Sequence, residues 1–259
     1  MKQLAPLAPA LAVLMGTVWT PIVRAEPSTD TARAGQLAQM VFNNSTDPAD
    51  GFTGTGRPVS RTSGGSRGDC DDQLVALLPG TDELQLSASG CNLQSMADLA
   101  LTTTAHPTVW IHVPEGAALL QGQFALLNEN QRALAIQPIS LPATASIVGI
   151  PVEASLDMGQ TYYWVFSILE TPDRPTENPR VEGLIRRVEP TSELTTALEN
   201  SNSVRDQAEV WADHGIWHEA LTSLATLQQT APGDRSQQDW YSFLDSVGLG
   251  AIANTPIRP

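Results

Sequence analysis

The sequence has almost no lysine. Lys2 is the only one among 14 basic residues, and it stands at the extreme N-terminus. A P-loop, a Schiff-base lysine and a Ser–Lys pair each need an amine in the body of the chain, so all three are excluded. The spacing Gly-x-Ser-x-Gly occurs once, at Gly64-Gly65-Ser66-Arg67-Gly68, but within a Gly/Ser/Thr/Arg-rich run rather than between a strand and a helix, as a nucleophile elbow requires. Positive charge is scarce in general: 28 acidic residues give a formal charge of −14. So acidic a surface repels phosphate backbones and anionic lipid, which argues against a nucleic-acid partner. Cysteine is limited to Cys70 and Cys91, too few for a disulfide-dense scaffold. Beyond the N-terminus no segment approaches the roughly 20 consecutive apolar residues of a membrane span.

What the N-terminus does have is the three-part pattern of an export signal. Lys2 supplies the charge, Leu7 to about Val18 the short apolar run, and Val23 and Ala25 the small residues before a cleavage point. The expectation is a signal peptide over residues 1–25 and a periplasmic or extracellular protein with no integral membrane segment once the signal is removed. No cysteine lies near the cleavage point to carry a lipid. Removal takes away Lys2 and Arg24 and no acid, leaving 12 basic against 28 acidic residues, a formal charge of −16. An oxidising compartment suits a Cys70–Cys91 disulfide. Closing its loop would contribute roughly 3 kcal/mol on the chain-entropy account, but spacing alone leaves pairing open.

Residues 26–69 read as a flexible polar lead-in, with one short helix within Thr31 to Phe42 and a Gly/Ser/Thr/Arg-rich run from Gly51 to Gly68. Residues 70–190 carry a period of two. Leu74, Ala76 and Leu78 open it, and Thr108 to Val113 is a β-rich run stopped by Pro114. Gln121 to Leu127 and Ala133 to Ile139 flank an Asn128-Glu129-Asn130 turn and predict a hairpin. Ile147 to Val152, Thr161 to Leu169 and Val181 to Val188 complete the set. Short strands with turn signals between them predict an antiparallel, Ig-like β-sandwich, with Trp110 and Trp164 in its core.

Residues 191–259 change to a helical period. Counting from Ser201 in a unit of about 34 residues, Ala208, Trp211, Gly215, Trp217, Ala220, Leu224, Leu227 and Pro232 occupy the characteristic positions of a tetratricopeptide unit. Small residues let two antiparallel helices approach, Gly215 permits the turn, and Pro232 stops the second helix. A further helix from Gln237 to about Val247 would cap the pair. The fold class expected is therefore α+β, a sandwich followed by a tetratricopeptide-like hairpin and a capping helix.

Few residues carry chemistry. His106 and His112 fall at a strand start and within a strand, where a structural role is the expectation. His214 and His218 are four apart, but Gly215 puts a turn between them and separates them as metal ligands. Asp69, Asp71 and Asp72 surround Cys70 without the spacing of a calcium loop, and Arg67-Gly68-Asp69 is too short to mean adhesion. No catalytic group, cofactor or metal is expected. Glu209, Glu219 and Gln228 on the helical hairpin are the candidate partner surface, for an envelope or secreted protein. The competing expectation is a hydrolase or carbohydrate-active protein using paired carboxylates, drawn from Glu170, Asp173, Glu177 and Glu182 around a Pro-rich loop.

Five motifs in order also point to a known group: Gly64-Gly65-Ser66-Arg67-Gly68-Asp69-Cys70, Ala105-His106-Pro107-Thr108-Val109-Trp110-Ile111-His112-Val113-Pro114, Tyr162-Tyr163-Trp164-Val165-Phe166-Ser167, Val181-Glu182-Gly183-Leu184-Ile185-Arg186-Arg187-Val188 and Gly215-Ile216-Trp217-His218-Glu219-Ala220-Leu221. Together, over about residues 50–255, they resemble the cyanobacterial domain-of-unknown-function family numbered 928. The resemblance implies an exported protein without an assigned activity, and it brings no catalytic residues. The family often has a cysteine just after the aromatic strand, where this chain has Ile168-Leu169-Glu170. The resemblance thus implies that Cys91 replaces that partner of Cys70, or that Cys70 is free. The function expected is a non-catalytic module for protein binding or envelope assembly.

Overall fold

The computed structural model describes residues 39–43, 73–80, 85–87, 90–92, 99–117, 120–171 and 173–258. The signal peptide, Cys70, the aspartates beside it and the glycine-rich motif lie outside the described residues. In chain order the strands are β1 (Val75–Ala76), β2 (Gln85–Ser87), β3 (Gly90–Asn92), β4 (Ala100–Thr102), β5 (Thr108–Val113), β6 (Gln121–Leu127), β7 (Ala133–Ser140), β8 (Ser146–Pro151), β9 (Thr161–Leu169) and β10 (Arg180–Arg187). Four helices follow, α1 (Ser192–Glu199), α2 (Val204–Asp213), α3 (Trp217–Thr230) and α4 (Asp234–Asp245), and then β11 (Ile257–Arg258). The chain is a mixed α+β protein.

Burial alternates without a break along β9, where Tyr162, Trp164, Phe166 and Ile168 are buried and the residues between them half-buried. Side chains on a strand point alternately to opposite faces, so this β-branched and aromatic run makes one apolar face. It is the centre of a five-stranded sheet ordered β4-β10-β9-β6-β7. Phe124 of β6 stands opposite Phe166, and the expected β6–β7 hairpin forms around the Asn128 turn. A four-stranded sheet is ordered β1-β5-β8-β11, and β2 pairs with β3 in a separate ribbon. Both larger sheets and the helices α2, α3 and α4 contribute to one buried apolar cluster.

Two pairings depart from the antiparallel expectation. β10 runs parallel to β4, and β11 parallel to β8. Parallel neighbours need a long crossover rather than a tight turn. Here β4 is reached from β10 only across the intervening strands, and β11 arrives after all four helices. Both are short edge strands added from the far side of other elements.

Gly183 shows how tightly the core closes. It sits in β10 opposite Trp164, and a Cβ there would lie 2.5 Å from Leu78 Cδ1 and 2.6 Å from the Trp164 ring. Both neighbours are fully buried and have nowhere to retreat. Gly183→Ala is therefore expected to destabilise by about 1–3 kcal/mol through overpacking. The check is a lowered urea midpoint at unchanged m-value.

The helical part forms as its caps dictate. Thr191 and Ser203 accept hydrogen bonds from the first turns of α1 and α2. Gly215, at φ +71°, takes the left-handed conformation that ends α2 and turns the chain into α3. Ala208, Ala212 and Ala220 are buried where α2 and α3 pack. α3 in turn packs on β4, β5 and β11. Residues 39–43, within the span read as lead-in, cross the helices: Met40 and Phe42 are buried, and the Asn43 amide donates to the Ala212 carbonyl. Among the described residues no helix is long and apolar enough to cross a membrane.

Candidate functional site

The first turn of α3 is set into the strand layers by three successive side chains. Trp217 Nε1 donates to the Leu77 carbonyl at 3.0 Å, and its ring stacks on Phe243 and meets Phe42 edge-on. His218 Nδ1 lies 3.0 Å from the Thr108 carbonyl. Glu219 Oε1 accepts from Thr102 Oγ1 at 2.9 Å, Thr103 N at 2.7 Å, Thr103 Oγ1 at 2.9 Å and Thr104 N at 3.0 Å. The carboxylate thereby satisfies amides of the β4–β5 turn that no ladder reaches. Arg187 holds the turn from the other side, donating to the Thr103 and Leu156 carbonyls. One turn further along α3, Trp110 Nε1 donates to Thr222 Oγ1 at 3.0 Å.

Beside this joint lies a cleft of about 230 Å³. Thr104, His106, Pro107 and Thr108 line one wall, Val204 and Trp211 of α2 another, and His218, Glu219, Thr222, Ser223 and Thr226 of α3 the third. Among the described residues no arginine lines it. A carbonyl only accepts, so His218 Nδ1 carries a proton and Nε2 of the neutral ring is an acceptor. Burial pushes the His218 pKa below its ordinary value, against the smaller opposing pull of the Glu219 charge. His218 Nε2 and Glu219 Oε2 are both buried and have no hydrogen-bond partner among the described residues. A buried acceptor left unpaired costs about 1–3 kcal/mol, more when charged, so two beside one cleft mark it out from the rest of the fold.

A family model described as Domain of Unknown Function (DUF928) matches residues 62–257. The chain belongs to that family. No curated protein matches it. Of the motifs that suggested DUF928, the segment Gly215 to Leu221 now has a physical account. Gly215 makes the turn, Trp217, His218 and Glu219 fasten α3 to the strands, and Ala220 and Leu221 are buried. Within Ala105 to Pro114, Pro107 is buried and lines the cleft with His106 and Thr108, while Trp110 reaches α3. The DUF928 motif around Gly183 supplies the space for Trp164.

The other residues singled out by sequence are dispersed. His106 is exposed, with Nδ1 3.1 Å from the Val152 carbonyl. His112 is fully buried, with Nδ1 2.7 Å from the Gln73 carbonyl. His214 caps α2 through the Val210 carbonyl, and the Gly215 turn separates it from His218. Among the described residues no group of three His, Cys, Asp or Glu side chains is placed to hold a metal ion. Glu170, Asp173 and Glu177 are exposed, and Glu177 pairs with Arg174. Glu182 is half-buried and accepts from the Tyr163 hydroxyl. Burial, and then that bond, raise the Tyr163 pKa. Glu209 pairs with Arg205. Gln228 lines a second cleft of about 250 Å³ with Gln237, Trp240 and Asn254. The Cys91 backbone is in β3, opposite Leu86; its partner in the expected disulfide lies outside the described residues.

The sequence reading did not single out Thr102 to Thr104, Thr222 or Ser223. A run of three threonines ahead of His106-Pro107 was a visible sign of a hydroxyl-rich turn, but its carboxylate partner stands more than a hundred residues downstream.

Proposed function

We propose that this chain is an exported, non-catalytic binding module whose recognition site is the cleft between the α2–α3 hairpin and the β4–β5 turn. We read the two larger sheets as an Ig-like sandwich and α2–α3 as a tetratricopeptide-like hairpin capped by α4, the arrangement expected of a rigid platform with an adaptable groove. The observation that carries the proposal is the lining. Hydroxyls, one indole and aliphatic groups dominate it, around two buried acceptors without partners. Binding sites of this kind are mostly neutral, with a few placed polar groups for orientation. Hydrolysis by paired carboxylates would need two of them facing each other across a cleft, and among the described residues Glu219 alone lines it.

A photo-crosslinking residue at Ser223, in the cleft, compared with one at Asn130, in the exposed β6–β7 turn, tests the reading in cells of the source. The expected result is one discrete adduct from Ser223 in the envelope or secreted fraction and none from Asn130. Retention of the protein in the cytoplasm would overturn the exported part, and equal labelling from both positions the cleft.

A further inference from the structure

We propose that the cleft binds a cationic N–H donor, the guanidinium or alkylammonium group of an organic ligand. The inference rests on reading the cleft as the binding site and adds its chemistry. Two buried groups beside the cleft, His218 Nε2 and Glu219 Oε2, are acceptors without partners among the described residues. His218 is 2% exposed, and its tautomer is fixed by the Thr108 carbonyl. A ligand that offered further acceptors would leave both unpaired. A ligand with several N–H groups satisfies them.

The electrostatics agree. Among the described residues Glu219 is the single carboxylate in the lining and no arginine shares that lining; Arg187, behind the turn, donates to the Thr103 and Leu156 carbonyls. The positive end of the α3 dipole also lies here, but it amounts to about half a charge and is outweighed by a full one. The protein as a whole carries a formal charge of −14, which raises the local concentration of cations and repels anions. Trp211 forms one wall, and an indole is the strongest cation–π partner among side chains. Its volume, about 230 Å³, suits one side chain or a small amine rather than a folded surface.

Calorimetric titration of the purified full chain at low salt, with N-acetyl-arginine amide, N-acetyl-lysine amide, putrescine and N-acetyl-glutamine amide, tests this. The cationic probes should bind saturably with a Kd below about 1 mM, the glutamine probe at least about tenfold more weakly. Binding should weaken as sodium chloride is raised. Glu219→Gln should abolish it. Because that change also touches the Thr102–Thr104 turn, Thr226→Arg is the second variant: from an exposed rim position it puts a competing guanidinium over the cleft, and should weaken binding about tenfold. Stronger binding of putrescine than of the blocked amino acids identifies a free amine as the source, and the reverse identifies a side chain of a protein partner. No saturable binding of any cationic probe, equal binding of the glutamine probe, or an unchanged Kd in Thr226→Arg overturns the proposal. If Ser223 still crosslinks discretely while the cationic probes fail, the cleft stands and only its chemistry falls.

Discussion

Trp217→Ala is expected to cost about 3–5 kcal/mol, the range for truncating a fully buried tryptophan. The ring is 0% exposed, stacks on Phe243 at 5.0 Å and meets Phe42 at 4.8 Å. Its loss opens a cavity between α3, α4 and the 39–43 segment. It also strands the Leu77 carbonyl, which accepts the indole N–H in a buried position. A domain is typically stable by about 5–15 kcal/mol, so the variant should lose a large share of its margin. Urea unfolding followed by circular dichroism should show the midpoint fall at unchanged m-value. Trp217→Phe separates the two contributions. It keeps an aromatic ring in the stack but no donor, and should cost about 1–3 kcal/mol for the unpaired carbonyl. An alanine variant less than about 1 kcal/mol below the parent would mean that the site collapses around the cavity, against the close packing expected of a core.

That tryptophan also shows why some of the fold was legible and some was not. Strand β9 and the β6–β7 hairpin were legible because each is long enough for a period of two to repeat and is bounded by turn residues. The break between α2 and α3 was legible because Gly215 marks it within the chain itself. Strands β4 and β11, three and two residues long, show no period at all. Met40 and Phe42 are core residues placed by partners far away, among them Ser246, which accepts from the Phe42 amide across 204 positions. The same limit applies to Glu219. A helical pattern states which face of a hairpin packs within the hairpin. It carries no information about the third body that covers another face, so the turn at Thr102–Thr104 could not be foreseen.

The three side chains of the α3 docking turn make a further physical point. Successive residues on an α-helix are about 100° apart, so Trp217, His218 and Glu219 fan over more than half of the helix circumference. Each is nevertheless bonded to a different segment, at Leu77, Thr108 and Thr102–Thr104. A helix lying on a flat sheet would present one face and leave the neighbouring residue in water. The first turn of α3 is instead bonded to strand ends and turns of both large sheets. The orientations of His218 and Glu219 at the cleft are thus fixed by bonds to Thr108 and to Thr102–Thr104.

Asp239→Ala is expected to be the second severe change, at about 3–5 kcal/mol, because it leaves a largely buried guanidinium without its main partner. Arg205 of α2 donates from Nε to Asp239 Oδ2 at 2.7 Å and from Nη2 to Oδ1 at 3.0 Å, a bidentate pair. The side chains are 18% and 6% exposed. Arg205 also reaches Glu209, at 3.0 Å and 42% exposure, but such a pair within one helix contributes only about 0.3–0.5 kcal/mol and cannot replace the loss. The pair ties α2 to α4, so its removal should free α4 before the strands. Hydrogen exchange is expected to accelerate first in the amides of α4. The double replacement Arg205→Met with Asp239→Leu removes both charges together and should recover most of the stability, since an apolar substitute for a buried pair is often neutral or better. A double-mutant cycle reads the coupling directly. Buried pairs are screened little, so the cost of Asp239→Ala should persist in 1 M salt, where an exposed pair would lose most of its effect. A cost that vanished in salt would place the attraction at the surface, and a double variant no better than the single would mean that shape, not charge, is what Arg205 and Asp239 supply between the two helices.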